Sequence, residues 1–255
     1  MRSTVIAVSD IPGLDHDQAM VLAATEYQRL LDAVERLRPE DWSAPTECAG
    51  WDVKAMLSHL LGMMQRVSDR DEAAHQDRAA AERAQATGEA PIDALTALQV
   101  EERAHLGPGE LTAALQAAVP GAVAGRSGTT PELREMPYDP GPPFTPRPWT
   151  LGYLLDVILT RDPWMHRVDL ARATGGDLVV TADHDGRIVA DVVADWARLH
   201  ARPFTLVLDG PAGGTYVSGE DGEDGERHEL DAVEFCRTLS GRAPGRGLLA
   251  HQIPF

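Results

Sequence analysis

A chain of 255 residues is long enough for one large domain or two small ones, and its hydrophobic fraction of 43% is sufficient for a core. The formal net charge is −17 and Lys54 is the single lysine of the sequence, which argues against nucleic acid and anionic membranes as partners. The sequence has no apolar run of about 18 residues and no signal-like h-region near its start, so we expect a cytoplasmic protein without a membrane span.

The two cysteines, Cys48 and Cys236, are far apart in sequence and neither has a CxxC partner. We therefore expect no disulfide framework and no zinc-ribbon or thioredoxin-type site. Both cysteines are interpreted as small apolar residues of the core. A reaction that needs a thiol would then take it from a cofactor or a substrate.

The first part of the chain carries the apolar periodicity of long helices. One helix is predicted from Asp15, a capping residue, to about Arg38. A second helix begins at Asp52 and places His59 within its apolar face. The charged, alanine-rich stretch 71–90 is interpreted as an extension of this helix followed by a mobile connection.

Two further helical regions complete the first domain. One covers about 92–124 and is interrupted by Gly107-Pro108-Gly109, and the other covers about 150–174. Six prolines between 137 and 148 exclude helix there and predict a stiff, extended crossover. Four long amphipathic segments with one long crossover predict a four-helix bundle over residues 1–176.

The pattern then changes to that of a small α/β domain over residues 177–255. The predicted segments are, in order, a strand or linker at 178–181, a helix at 185–200, strands at 204–208 and 215–218, an acidic hairpin tip at 219–225, its return strand at 226–230, and a last helix at 231–239.

A carboxylate and an imidazole lie four residues apart near the end of the fourth predicted helix, at Asp162 and His166. Both side chains can point between the helices, where His59 offers a second imidazole. Two histidines and one carboxylate suit a divalent metal that keeps an open position. Spacing alone leaves alternatives: such pairs are more often packing pairs, His59 is more often a core histidine, and Asp162 before Pro163 can cap a restarted helix.

Three separated motifs stand out in the sequence: PTECAGWDVKAMLSHLLG at 45–62, RDPWMHRVDL at 161–170, and a C-terminal group formed by DAVEFCR at 231–237, LSGR at 239–242 and IPF at 253–255. Through these motifs the chain resembles the mycothiol-dependent maleylpyruvate isomerase family of DinB-like bundles. Their order, and their spread over essentially the whole chain, make the resemblance specific.

The resemblance implies an α+β protein in which a metal-binding DinB-like four-helix bundle precedes a sterol-carrier-like α/β domain. It also implies a divalent metal, usually zinc, held by His59, Asp162 and His166, with mycothiol as the thiol cosubstrate. In this sequence Asp162 stands where the archetypal isomerase has a glutamate. The role of Arg242, in the LSGR turn, is either to bind the hydroxyls and amides of the thiol or to serve as a capping or surface arginine.

These expectations combine into a hypothesis of function. A metal-bound thiolate would attack a small electrophile, giving isomerisation or S-transfer, for example in detoxification. The alternatives are a metal-dependent hydrolase that uses metal-bound water and a non-catalytic, stress-related binding module. The expected partners are the thiol and a small electrophilic substrate, with the protein a monomer or a homodimer.

Overall fold

The computed structural model describes residues 5–141, 148–219 and 225–255. Its chain is mostly helical with a small sheet, which confirms the predicted α+β class. It divides into two compact units, Asp15–Asp177 and Met1–Leu14 together with Leu178–Phe255. Within the described ranges, no helix combines the length and the apolarity needed to cross a membrane.

The helical unit, Asp15–Asp177, is built from helices and one two-stranded ribbon. Its helices are α1 His16–Val34, α2 Val53–Ser68, α3 Arg70–Thr87, α4 Pro91–Arg103, α5 Pro108–Ser127, α6 Pro131–Arg134 and α7 Leu159–Thr174. Two predicted caps are present: Asp15 accepts from the Gln18 N–H and Asp52 accepts from the Ala55 N–H, both at 2.8 Å.

Helices α1, α2, α5 and α7 form the predicted four-helix bundle. Helix α1 packs against α5 and α7, and α2 packs against α5. Their apolar faces meet in one core, whose fully buried members include Leu30, Met56, Leu57, Leu111 and Leu115. Burial of these faces supplies the main driving force for assembly of the bundle.

Helices α3 and α4 form an additional pair that packs on α2. The prediction of a helix extension and a connection over 71–90 is therefore wrong, because Asp69 starts a separate helix by accepting from the Asp71 and Glu72 N–H groups. Gly88, at φ +76°, ends that helix in the left-handed conformation.

The fourth bundle helix begins with a π-helical stretch, Tyr153–Ile158, and continues as α7. Pro163 lies inside α7 and has no N–H for the carbonyl of Leu159, one turn earlier. The buried Arg126 of α5 takes over that role, because its Nη1 donates to the Leu159 carbonyl at 2.8 Å. The alternative in which Asp162 caps a restarted helix is wrong, since α7 runs through this residue.

The crossover predicted at 137–148 lies partly outside the described residues, which omit 142–147. On its described sides, strands Pro137–Tyr138 and Trp149–Thr150 pair in antiparallel fashion. The extended ends agree with the exclusion of helix by proline.

The second unit contains helix α8 Asp185–His200, helix α9 Ala232–Leu239 and a four-stranded sheet. Its strands, numbered within this sheet, are β1 Val5–Ala7, β2 Phe204–Asp209, β3 Gly214–Ser218 and β4 Glu226–Asp231, in the order β1-β3-β2-β4. The large side chains of Trp196, Phe204 and Phe235 are fully buried in this unit.

Two predictions for this unit are corrected. Strand β1 pairs in parallel with β3, so the chain up to Leu14 belongs to this unit and not to a bundle over 1–176. Strand β4 pairs in parallel with β2 and does not lie beside β3, so the prediction of 226–230 as a hairpin return strand is wrong. The predicted hairpin tip at 219–225 falls mostly on residues outside those described. The segment 178–181 has no strand, and 220–224 lie outside the described residues.

Candidate metal centre

The structure brings His59, Asp162 and His166 together in the bundle core. The Nε2 atom of His59, on α2, lies 3.5 Å from Asp162 Oδ1, and the Nε2 atom of His166, on α7, lies 3.2 Å from the same oxygen. The two imidazole rings meet edge to face with their centroids 5.4 Å apart. Both histidines are buried and Asp162 is half-buried, so the three groups form one enclosed polar cluster.

A buried carboxylate orients the ring of His166. Asp169, one turn further along α7, approaches His166 Nδ1 with its Oδ2 at 2.9 Å. A carboxylate accepts hydrogen bonds only, so Nδ1 carries a proton and the other ring nitrogen, Nε2, is the one that faces Asp162. Metal-binding histidines are commonly held in this way.

An amide performs the corresponding task for His59. Its Nδ1 lies 2.7 Å from Oε1 of Gln99 on α4, and both side chains are buried. The remaining nitrogen, Nε2, therefore faces the Asp162 carboxylate. Both histidines thus present the same nitrogen to one point between α2 and α7.

The electrostatics of the cluster favour a positive charge at this point. Burial alone would raise the pKa of Asp162, but the facing imidazoles of His166 and His59 outweigh burial and hold that pKa well below its usual range. Burial alone would lower the pKa of His166, but the Asp162 carboxylate, assisted by Asp169, raises it well above its usual value. A metal ion that took the place of the proton on His166 Nε2 would therefore face the ionised carboxylate of Asp162.

The donor set fits a divalent metal ion. The three ligand atoms all lie within 4.8 Å of one another. Zinc–ligand bonds of about 2.0–2.1 Å place neighbouring atoms of a tetrahedral site about 3.3 Å apart. The observed separations of 3.2 and 3.5 Å lie on either side of that value. Two imidazoles and one carboxylate also leave room for a further ligand.

Three neighbours of this cluster were not predicted from the sequence: Asp169, Gln99 and Cys48. The half-buried Trp51 places its ring centroid 5.2 Å from that of His59. Cys48, interpreted above as an apolar core residue, is half-buried, and its thiol donates to Asp169 Oδ2 at 3.5 Å. Asp169, three residues after His166, had a local signal, since residues three apart share a helix face.

The structure places Arg242 in the second unit, in the turn after α9. Its backbone N–H donates to the carbonyl of Arg237 at 2.9 Å, and the residue is half-buried. Its role toward a thiol stays a prediction.

A four-helix bundle with two inward-facing histidines and an aspartate, joined to an α/β unit, defines the class of protein as a helical-bundle protein with a candidate metal centre. The family follows from the sequence itself. Residues 23–171 match the family described as Mycothiol maleylpyruvate isomerase N-terminal domain, and the chain belongs to this family. The predicted family is confirmed, and membership supports the predicted isomerase class of enzyme.

Two solved structures share the fold. They are the mycothiol-dependent maleylpyruvate isomerase and a histidine-to-alanine mutant of it, at 16% and 17% identity respectively. Each match has a TM-score of 0.58 and covers 93% of this chain and 92% of the other. No curated protein matches the sequence.

Proposed function

We propose that this protein is a metal-dependent enzyme that uses a low-molecular-weight thiol, mycothiol, to isomerise a small electrophile of the maleylpyruvate type. The observation that carries the proposal is the convergence of His59 Nε2, His166 Nε2 and Asp162 Oδ1 within a family named for this reaction. A divalent ion held by these three residues, zinc being the best fit to the donor set, would lower the pKa of an entering thiol and so supply its thiolate.

The charges of the chain's own groups support an anionic cosubstrate. Two neutral imidazoles and one carboxylate offset only one of the two charges of a divalent ion. The site would then keep one positive charge in a buried setting, where it favours a thiolate over a neutral ligand. A free thiol, with a pKa of about 8.5, is mostly protonated at neutral pH, so this preference matters for the reaction.

The chain's residues would orient the reactants and limit access of water. Trp51 covers one side of both imidazoles, with centroid distances of 5.2 Å to His59 and 6.4 Å to His166. The thiolate would add to one carbon of a cis double bond conjugated to a carbonyl. The electron pair of the double bond would move onto the carbonyl oxygen as an enolate. Rotation about the resulting single bond, followed by collapse of the enolate and expulsion of the thiolate, would give the trans product and return the thiolate. S-transfer would follow instead if the adduct carried a better leaving group.

The test compares wild type with His59→Ala and His166→Ala, and uses His105→Ala as a control at an exposed position. Metal content is measured by elemental analysis, and turnover of maleylpyruvate is followed with and without mycothiol. We expect both cluster variants to lose bound metal and thiol-dependent turnover, and the control to keep both. Metal-dependent turnover that ignores the thiol would indicate a hydrolase, and ligand binding without any turnover would indicate a binding module; either result refutes the proposal.

A further inference from the structure

A chain of buried amide groups connects the additional helix pair α3–α4 to His59. Gln99 of α4 accepts from His59 Nδ1 through Oε1 and donates through Nε2 to Gln76 Oε1 of α3, at 2.7 and 2.8 Å. Gln76 in turn donates through its Nε2 to the Gly62 carbonyl at 3.0 Å and to Glu72 Oε1 at 2.8 Å. Both glutamines have no exposed surface.

The last acceptors in this series of hydrogen bonds determine the orientation of both amide groups. The Gly62 carbonyl and the Glu72 carboxylate can only accept hydrogen bonds, so Gln76 must turn its amino group to them. The oxygen of Gln76 then faces Gln99, so Gln99 must donate to it through its own amino group. The oxygen of Gln99 is left for His59, and only a protonated Nδ1 satisfies it.

Two further contacts hold the glutamine relay, Glu72–Gln76–Gln99, in this direction. Arg103 donates from Nη2 to Glu72 Oε1 at 2.8 Å and from Nη1 to the Gln99 carbonyl at 3.1 Å. The guanidinium thereby holds the Glu72 carboxylate in place beside the Gln76 amide.

A glycine in α2, Gly62, leaves space for the Gln99 side chain. A Cβ atom on Gly62 would lie 2.6 Å from Gln99 Cγ and 2.7 Å from its Cβ, both well inside van der Waals contact. Gly62 is one turn after His59 on the same helix, so the absence of a side chain there is what lets Gln99 reach the imidazole. Glycine weakens a helix interior relative to alanine, so its presence at this position has a structural cost.

We propose that Gln99, oriented by Gln76, is a positioning residue that fixes His59 in the Nδ1–H tautomer and so keeps the Nε2 lone pair directed at the metal position. The part of this inference that concerns metal affinity rests on the proposed function. The tautomer itself does not, because the relay ends on protein acceptors alone. The pair α3–α4 would thus serve the metal centre from outside the four-helix bundle.

The experiment uses the full chain with the variants Gln99→Met and Gln99→Glu. Methionine removes the acceptor at nearly constant length, whereas glutamate keeps an oxygen for His59 Nδ1. Gln116→Met is the matched control, because Gln116 is an exposed glutamine that donates to Glu35 on the bundle surface. The tautomer of His59 is read from its imidazole ¹⁵N resonances in metal-free protein, and zinc affinity is measured by competition with a chelator.

We expect His59 to carry its proton on Nδ1 in wild type, in Gln99→Glu and in the control, and to populate both tautomers in Gln99→Met. Zinc affinity should fall 10- to 100-fold in Gln99→Met alone. Gly62→Ala keeps the Gln99 amide but crowds its side chain away from His59. It should therefore shift the His59 tautomer in the same direction as Gln99→Met.

Two results would overturn the inference: an Nε2–H tautomer in wild type, or a Gln99→Met protein with the wild-type tautomer and zinc affinity. If wild type shows the Nδ1–H tautomer and Gln99→Met disturbs it, but neither binds zinc, then the relay stands and the proposed function fails. The two ideas are therefore tested separately.

Discussion

Replacement of Arg126 by methionine tests whether this side chain stabilises α7 at Pro163, the residue that follows Asp162. The substitution removes the Nη1 donor that satisfies the Leu159 carbonyl, and a buried carbonyl without a partner costs about 1–3 kcal/mol. It also removes the donors to Tyr27 Oη and Thr160 Oγ1. Part of this cost is offset, because a buried guanidinium whose Nε has no partner among the described residues disappears as well.

The expected net effect of Arg126→Met is a loss of about 2 kcal/mol in the free energy of unfolding. This corresponds to a fall in Tm of roughly 4–8 °C for a protein of this size. Denaturant titration followed by circular dichroism measures the first quantity and a thermal scan the second. Arg78→Met, at an exposed position inside α3, is the control and should stay within about 0.5 kcal/mol of wild type.

A double-mutant cycle with Pro163→Ala isolates the physical cause. Alanine at 163 supplies the N–H that the Leu159 carbonyl lacks, so Arg126→Met should cost about 1 kcal/mol less in that background. If Arg126→Met costs the same in both backgrounds, within about 0.5 kcal/mol, the explanation of how Pro163 is accommodated is refuted.

Three further predictions concern the site, the second unit and the thiol. Asp169→Asn should weaken zinc binding 10- to 100-fold, because the amide orients His166 without a charge; equal chelator-competition constants would contradict this. Burial, followed by the charges of His251 and Arg202, lowers the pKa of His200 to about 4. The stability that depends on neutral His200 is therefore fully present above the unfolded pKa of about 6.5 and is lost as pH falls toward 4. Urea midpoints of wild type should therefore fall relative to those of His200→Asn across this range, whereas parallel curves would exclude the effect. Arg242→Ala should raise the KM for mycothiol without loss of metal, and an unchanged KM would leave Arg242 a structural residue.

Local sequence patterns predict the parts of this fold that local interactions determine. Asp15 and Asp52 cap their helices as expected, and the helix at 185–200 is found at the predicted bounds, because capping groups and apolar periodicity lie within one segment. The spacing of Asp162 and His166 likewise places both on one face of α7.

Features that depend on distant segments were missed. The strand at 226–230 is predicted to form a hairpin with the strand at 215–218, but it pairs in parallel with β2. No local sequence pattern indicates a parallel pairing between segments that are not neighbours along the chain. Gln99 reaches His59 across forty positions of sequence, and Cys48 meets Asp169 across a still longer separation. No periodicity within one segment encodes such contacts, so only the folded chain reveals them.

Cobalt substitution tests the central claim most directly. Co²⁺ bound to the wild-type protein would report its ligands through its absorption spectrum, and mycothiol is then titrated into the sample. We expect a new sulfur-to-cobalt charge-transfer band in the near ultraviolet for wild type and none for His59→Ala. A cobalt-loaded wild-type protein whose spectrum does not change on addition of the thiol would contradict a metal centre that takes up the thiolate.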